Sequence, residues 1–439
     1  MGKIMKTKQS MLLLSVTIMI VAVAAGFETP LAAQQEVHIS IREGMPMIPV
    51  ALPEFQFTSN SVMDTAIRDE MYSVLWNDLD YSRIFKLVPK EHYGYIKQHD
   101  PSNIIYKDWA SIQANILISG ELEVSADQRI IFSVKVYDIK SEKFIFGRNF
   151  GGKKELLRLI SHRVADAMMT YFGEKPIFTS KLVFVSNRDG NEEIYLMDYD
   201  GNRQTRITYN EDLDMLPSWS LDREKILYTS YRKGNPDLYM FYLYTGKTEL
   251  ISTGQANYSA DWSREGDSIV YTSTRSGNAE IYVKNMKTRK EKQLTFNRAI
   301  DTSPSWSPNG REIAFISDRG GSAQVYIMDA EGSNVRRITT EGTRHDSPEW
   351  SPDGGQIAYT LMIGNGIDIY IYNLKNNSIS KLTEDSRRNE NPTWSPDGRH
   401  IIFASNRGGS YQLYTVDYDG SNLRQLTSRG ENKMPGWQK

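Results

Sequence analysis

Six tryptophans, Trp219, Trp262, Trp306, Trp350, Trp394 and Trp437, recur every 43 or 44 residues along the C-terminal three-fifths of the chain. A period of that size, filled with short strand-like runs, restricts the chain to a ring of repeated sheets, a β-propeller. Two other registers keep the same beat. Tyr195, Tyr239, Tyr282, Tyr326, Tyr370 and Tyr414 form one, and Phe184, Tyr228, Tyr271, Phe315, Tyr359 and Phe403 form the other, eleven residues earlier. An aliphatic-threonine pair closes five units, at Ile207-Thr208, Leu294-Thr295, Ile338-Thr339, Leu382-Thr383 and Leu426-Thr427.

Each unit reads as four strands, A to D from the inside out. Strand A carries the tryptophan. A turn such as Ser351-Pro352-Asp353-Gly354 leads to strand B, because proline presets φ and glycine takes the left-handed position. Strand B (Ile313-Ala314-Phe315-Ile316) is rich in residues suited to a pleated face, and a glycine hairpin joins it to strand C. One blade cannot cover both of its faces, so the ring must close. Strands B, C and D first appear at Lys181 to Thr208, and the last tryptophan strand, Pro435-Gly436-Trp437, has nothing after it. Six four-stranded blades result only if the C-terminal strand completes the first, with Pro176 to Thr179 as the competitor for that inner position.

At the other end, Lys3, Lys6 and Lys8 precede an apolar run from Met11 to Ala25 and the small residues Ala32-Ala33. This is the layout of a secretory signal peptide, residues 1–33, with Ala24 or Ala25 as alternative cleavage points and a retained anchor as the competing reading. The chain has no cysteine, which excludes lipid attachment through one, disulfides and thiolate sites. Without residues 1–33 the 52 basic and 54 acidic residues become 49 and 53, a balance that argues against a nucleic-acid binder. No second stretch is long enough to span a membrane.

Residues 34–175 show no repeat and read as an N-terminal α/β domain, with the all-β six-bladed propeller over 176–439. Val37, Ile39 and Ile41 alternate with polar residues as a first strand. Asn60 or Ser61 caps a helix through about Trp76. A strand at Ile84 to Val88 and a meander over Ala114 to Val124, Arg129 to Asp138 and Lys143 to Phe150 follow, then a helix from Lys154 to Phe172 that Gly173 and Pro176 stop.

Catalytic patterns are missing from the sequence. There is no nucleophile elbow, Walker loop or His-Glu-x-x-His. The histidines never fall at metal-ligand spacing, and Glu192-Glu193 sits beside a hairpin turn, where solvated surface is the simpler reading. No catalytic residue, resident metal or cofactor is therefore expected. A Ca²⁺ ion in the propeller channel stays open as an alternative, although no loop specifies its ligands.

The Trp-Ser-Pro-Asp-Gly pattern, followed by an aromatic-Ser-x-Arg-x-Gly hairpin, resembles the repeat of the TolB family. The likeness extends over the signal peptide, the strand Glu36-Val37-His38-Ile39 and the α/β domain, and so over the whole chain. The resemblance implies a periplasmic, non-catalytic scaffold of the Tol-Pal system that supports outer-membrane integrity and constriction at cell division. It implies binding of the lipoprotein Pal at a propeller mouth and of TolA through the mature N-terminal segment, here Glu36, Val37, His38, Ile39, Ser40 and Ile41. Other outer-membrane lipoproteins or porins are further implied partners, and the protein is expected to be a monomer. A propeller enzyme or carbohydrate binder using the channel is the competing function.

The mouth can also be nominated from the repeat itself. D-to-A connections and B-to-C hairpins open on one face, and the residues just before each tryptophan are where the blades differ. They are Asn257, Tyr258 and Ser259, then Asp301 and Thr302, then Arg344, His345 and Asp346, and finally Arg388, Asn389 and Asn391. Polar groups around a concave mouth, with an aromatic such as Tyr258, suit a protein partner. The hairpin arginines Arg188, Arg232, Arg275, Arg319 and Arg407 recur in five blades, which points to a structural job, with anion or partner recognition as the alternative. A structural pairing is expected for them, with Asp214, Asp301 or Asp346 of an adjacent blade. The fifth blade breaks the pattern with Leu361-Met362-Ile363, an apolar tip that reads as a contact site or as packing on the N-terminal domain.

Overall fold

The computed structural model describes residues 46–58, 61–62, 64–96, 100, 103–384 and 387–439. The signal segment and the Glu36 to Ile41 strand lie outside the described residues. The first domain is a sheet with two long helices: β1 (Ile48–Ala51), β2 (Gln56–Phe57), α1 (Thr65–Tyr81), β3 (Phe85–Leu87), α2 (Tyr106–Ser111), β4 (Ile116–Val124), β5 (Arg129–Asp138), β6 (Lys143–Lys153) and α3 (Leu157–Tyr171). The sheet runs β3-β1-β4-β5-β6, with β2 continuing along β4. β1 is parallel to both its neighbours, and β4 to β6 form the antiparallel meander.

Helix α1 starts later than its sequence signal. Asp64, not Asn60 or Ser61, is the cap, accepting the Ile67 N–H at 3.2 Å. The Ser61 hydroxyl is used elsewhere, accepting the Val124 N–H at 2.9 Å and so tying the chain to the end of β4. The helix also runs past Trp76, because Asp78, Leu79 and Tyr81 are buried. Short strands β1 and β2 and helix α2 escape sequence reading because none is long enough to display a period.

The propeller has six four-stranded sheets. The innermost strands are Asp214–Trp219, Asn257–Trp262, Asp301–Trp306, Arg344–Trp350, Asn389–Trp394 and Asn432–Trp437. The last of these pairs with Lys181–Ser186, so the C-terminal strand closes blade 1. Trp437 is buried there and its indole N–H donates to Ser180 Oγ at 2.8 Å. The repeated registers become cross-strand pairs: Phe184 faces Tyr195, Tyr228 faces Tyr239, and so on through Phe403 and Tyr414. The closing threonines have a bonding role. Each hydroxyl of Thr208, Thr295, Thr339, Thr383 and Thr427 accepts the N–H of a strand C residue at 2.9 to 3.0 Å.

The first domain meets the face of the propeller that carries the A-to-B and C-to-D turns, at blades 1 and 6. Arg83 donates to Asp417 (2.7 Å), Arg424 to Asp80 (2.9 Å) and Arg399 to Glu174 (2.8 Å). Tyr81 stacks on His400 with ring centroids 4.0 Å apart. Beneath these contacts one apolar core runs from Phe85 and Phe172 through Phe178 to Phe184, Leu413 and Trp437. The opposite mouth, ringed by B-to-C hairpins, carries none of these contacts.

Candidate functional site

Each innermost strand contains the same irregularity. Counted from the residue five before the tryptophan, pairing with strand B shifts between the second and fifth residues, as at Met215/Ser218 and Thr302/Ser305. The third residue takes positive φ in all six blades: Leu216, Ser259, Ser303, Ser347, Asn391 and Met434 lie between 49° and 56°. Such backbone costs about 1 kcal/mol or more for a residue other than glycine, and it re-aims side chains as bulges do. Here it sorts the strand by position. The first and fourth residues are buried, while the second and third are partly exposed.

This sorting divides the nominated residues, which apart from Arg388, just before its strand, lie in the first half of the innermost strands and not in loops. Tyr258, Ser259, Thr302, Asp346 and Asn391 line a central cavity of about 820 Å³. Ser303 Oγ donates to Asp346 at 3.0 Å, and Asn391 Nδ2 to Ser347 Oγ at 3.0 Å, knitting neighbouring blades around the opening. Arg344 and Arg388 are exposed on the rim. Asn257, Asp301, His345 and Asn389 are instead buried and occupied. They cannot touch a partner without local unfolding, which corrects their nomination as contacts.

Their occupation explains the hairpin arginines. Arg319 donates to Asp301 (2.8 Å), Arg407 to Asn389 (2.9 Å), Arg275 to Asn257 (3.2 Å) and Arg188 to Asn432 (2.6 Å), while Arg232 lies 3.6 Å from Asp214. Every partner is the first inner-strand residue of the same blade, not of an adjacent one, and Asp346 takes no part. Each guanidinium also lies over the paired aromatics, 5.3 Å from Phe315 and 5.1 Å from Tyr326 in blade 4. The motif serine completes the set, with Arg319 Nε donating to Ser317 Oγ at 2.8 Å.

Blade 5 replaces the whole unit. His345 stands where the acid or amide stands elsewhere, its Nδ1–H donating to the Ala323 carbonyl at 2.9 Å and its ring 5.3 Å from Tyr359. Leu361 is buried and Ile363 is exposed at the tip, on the open face and so away from the first domain. Burial pushes the His345 imidazole down to about 4 from an ordinary 6.5. A depressed folded-state value means that stability is complete above 6.5 and is lost as pH falls toward 4. Urea midpoints measured across that window should drop in the wild type and drop less in His345→Asn. Parallel curves would refute the assignment.

Several rim residues carried a weak sequence signal. Tyr209, Leu213, Phe296, Ile300 and Ile363 are exposed apolar side chains on the open face. Tyr209 and Phe296 directly follow closing threonines, which is the register that could have found them. Deeper in the channel, Lys439 Nζ lies 3.0 Å from Glu349 Oε1, and Asp261 Oδ2 accepts the Trp306 N–H at 2.8 Å. Burial raises the Glu349 carboxyl despite the lysine. Outside the channel, His162, Asp198 and Asp200 approach within 4.8 Å of one another. Lys181 and Arg158 already pair with the two carboxylates, so that cluster is an ion-pair network.

Residues 169–439 match the TolB beta propeller domain, and residues 37–145 match the TolB amino-terminal domain. The chain belongs to the TolB family. The Tol-Pal system protein TolB of Desulfosudis oleivorans is 31% identical over 202 residues, 45% of each chain. That of Paramagnetospirillum magneticum is 33% identical over 235 residues, 52% of each chain. The chain thus spans about half the length of the curated relatives it matches. The crystal structure of TolB from Acinetobacter baumannii superimposes with a TM-score of 0.75 at 25% identity, covering 90% of this chain and 97% of that one. Among the described residues of this TolB family chain, no helix is long and apolar enough to cross a membrane.

Proposed function

We propose that this TolB family protein is a non-catalytic periplasmic scaffold of the Tol-Pal system, exported by a cleaved signal peptide. It binds the lipoprotein Pal at the open propeller mouth and TolA through the Gln34 to Arg42 segment. That linkage would support outer-membrane integrity and constriction at division. The observation that carries the reading is the mouth itself. On the face away from the first domain, partly exposed Tyr258, Thr302, Asp346 and Asn391 surround a cavity, with apolar Tyr209, Phe296 and Ile300 on the rim. A central tyrosine is the kind of side chain that anchors a protein contact, and exposed aromatics beside it add apolar area.

The test is direct binding to Pal from the same cells. Tyr258→Ala with Thr302→Ala should weaken binding about tenfold or more, the loss expected from a central contact pair, with an unchanged melting temperature. His345 is unsuited to the test because its side chain supports the blade. Wild-type protein that ignores Pal but binds an oligosaccharide in the channel would favour the competing function. Full Pal affinity in the double variant would move the contact away from the inner strands.

A further inference from the structure

The seam between the two domains holds a buried network of titratable groups. At its centre is His162 of α3, whose Nδ1 lies 2.8 Å from Asp78 Oδ2 of α1. Both side chains are buried. Blade 1 supplies the other half. The Tyr199 hydroxyl donates to Asp78 Oδ1, and Asp200 Oδ2 stands 3.9 Å from His162 Nε2. Nε2 itself has no hydrogen-bond partner.

Asp78 thus accepts one hydrogen bond from each domain and is satisfied as a carboxylate. The bond to Asp78 fixes the tautomer of His162, so a neutral ring presents a bare nitrogen to Asp200. A proton on that nitrogen turns a repulsive contact into an attraction across the seam, in surroundings that screen it weakly. We propose that His162 is a proton-operated latch between the domains. Protonated, it holds α3 to the blade 1 turn that carries Asp200. Neutral, it lets the seam loosen.

The other charged groups around it are accounted for. Arg158 of α3 pairs with Asp200 and comes within 4.0 Å of Glu70 on α1, so it opposes the proton. Asp198 of blade 1 is engaged by Lys181 and lies 3.9 Å from Arg203. Tyr81 and Tyr199 wall the site, with ring centroids 5.4 Å apart. On the blade 6 side, Arg83 and His400 share Asp417, and Arg424 holds Asp80.

Burial acts to lower the His162 value, but the hydrogen bond and charge of Asp78, with Asp200, carry it above the ordinary 6.5. Burial also pushes the Asp78 carboxyl up to about 6, against the pull of His162. Both shifts have one sign: the docked form holds more protons than the open form. For His162 the contribution is complete below 6.5 and is lost as pH rises through the higher docked value.

Hydrogen exchange on the whole protein, corrected for intrinsic rates, tests this at about pH 5.5 and about pH 8.5, below and well above the ordinary imidazole value. Openings of α3 and the Asp198 to Asp200 turn should become more frequent at the higher pH, because the docked form holds the proton more tightly than the open form. His162→Gln keeps a donor for Asp78 but no titrating nitrogen, so its openings should lose the His162 share of the pH response and keep only that of Asp78. If that variant fails to fold, Asp200→Asn at the partly exposed turn carries the test. There the NMR titration midpoint of His162 should fall below the wild-type value. A purely structural histidine would shift openings equally at both pH values. Equal pH responses in wild type and variants, or a wild-type His162 midpoint at or below 6.5, would overturn the latch.

Discussion

Deleting Met434 to Lys439 is expected to abolish cooperative unfolding of the propeller at any temperature where the full chain unfolds as one unit. The deletion removes four of the six residues of the innermost strand of blade 1, Asn432–Trp437, which pairs with Lys181–Ser186. It also strips Trp437 from a core shared with Leu182, Phe184 and the first domain. Emptying a buried tryptophan site alone costs about 3–5 kcal/mol. A ring amplifies that loss, because each blade is stable only against its neighbours, and an open edge exposes both flanking faces. Trp437→Ala, which keeps the strand, should show the side-chain share alone. Calorimetry on the full chain, the truncation and the point variant separates the two. A truncated chain that melts in one transition at the full-length temperature would mean that another segment, such as Pro176 to Thr179, can close the ring.

The second large effect concerns the hairpin arginines. Arg319→Ala leaves the fully buried Asp301 with Asn297 Nδ2 as its remaining side-chain donor, at 2.7 Å. Orphaning a buried charge costs about 3 kcal/mol or more. Asp301→Asn should cost far less, since asparagine occupies the same position at Asn257, Asn389 and Asn432 and accepts from the same arginine. In the Asp301→Asn background the arginine truncation should then become cheaper, because no charge is left unpaired. Urea unfolding of the single and double variants reads this coupling. Additive losses would show that the arginine acts through its stacking on Phe315 and Tyr326 and not through the acid.

The repeat made most of the propeller legible. Tryptophan, aromatic and threonine registers are periodic because each serves a recurring contact, in six blades for the aromatics and five for the threonines, and such repetition leaves a trace that one chain suffices to read. Ring closure followed from counting strands. The site was less legible. Thr302 and Asp346 face the channel while their neighbours Asp301 and His345 are buried, and strict alternation along a strand does not reveal which is which once a bulge intervenes. The bulge has no fixed residue type, being filled by Leu216, three serines, Asn391 and Met434. The arginine partners were expected across blades because sequence spacing alone does not tell the two inner-strand neighbours apart.

Sequence by itself determined the architecture: a local pattern, repeated at a constant interval, admits one way of burying its aromatics. Tertiary structure alone decided what the domains do to each other. Asp78, His162, Tyr199 and Asp200 are scattered over more than a hundred residues and belong to no period. They meet because α1, α3 and a blade 1 turn are pressed onto one apolar core. Which mouth the first domain touches follows from the same packing. Burial, and with it the protonation of His162, is a property of that contact and is carried by no single stretch of chain.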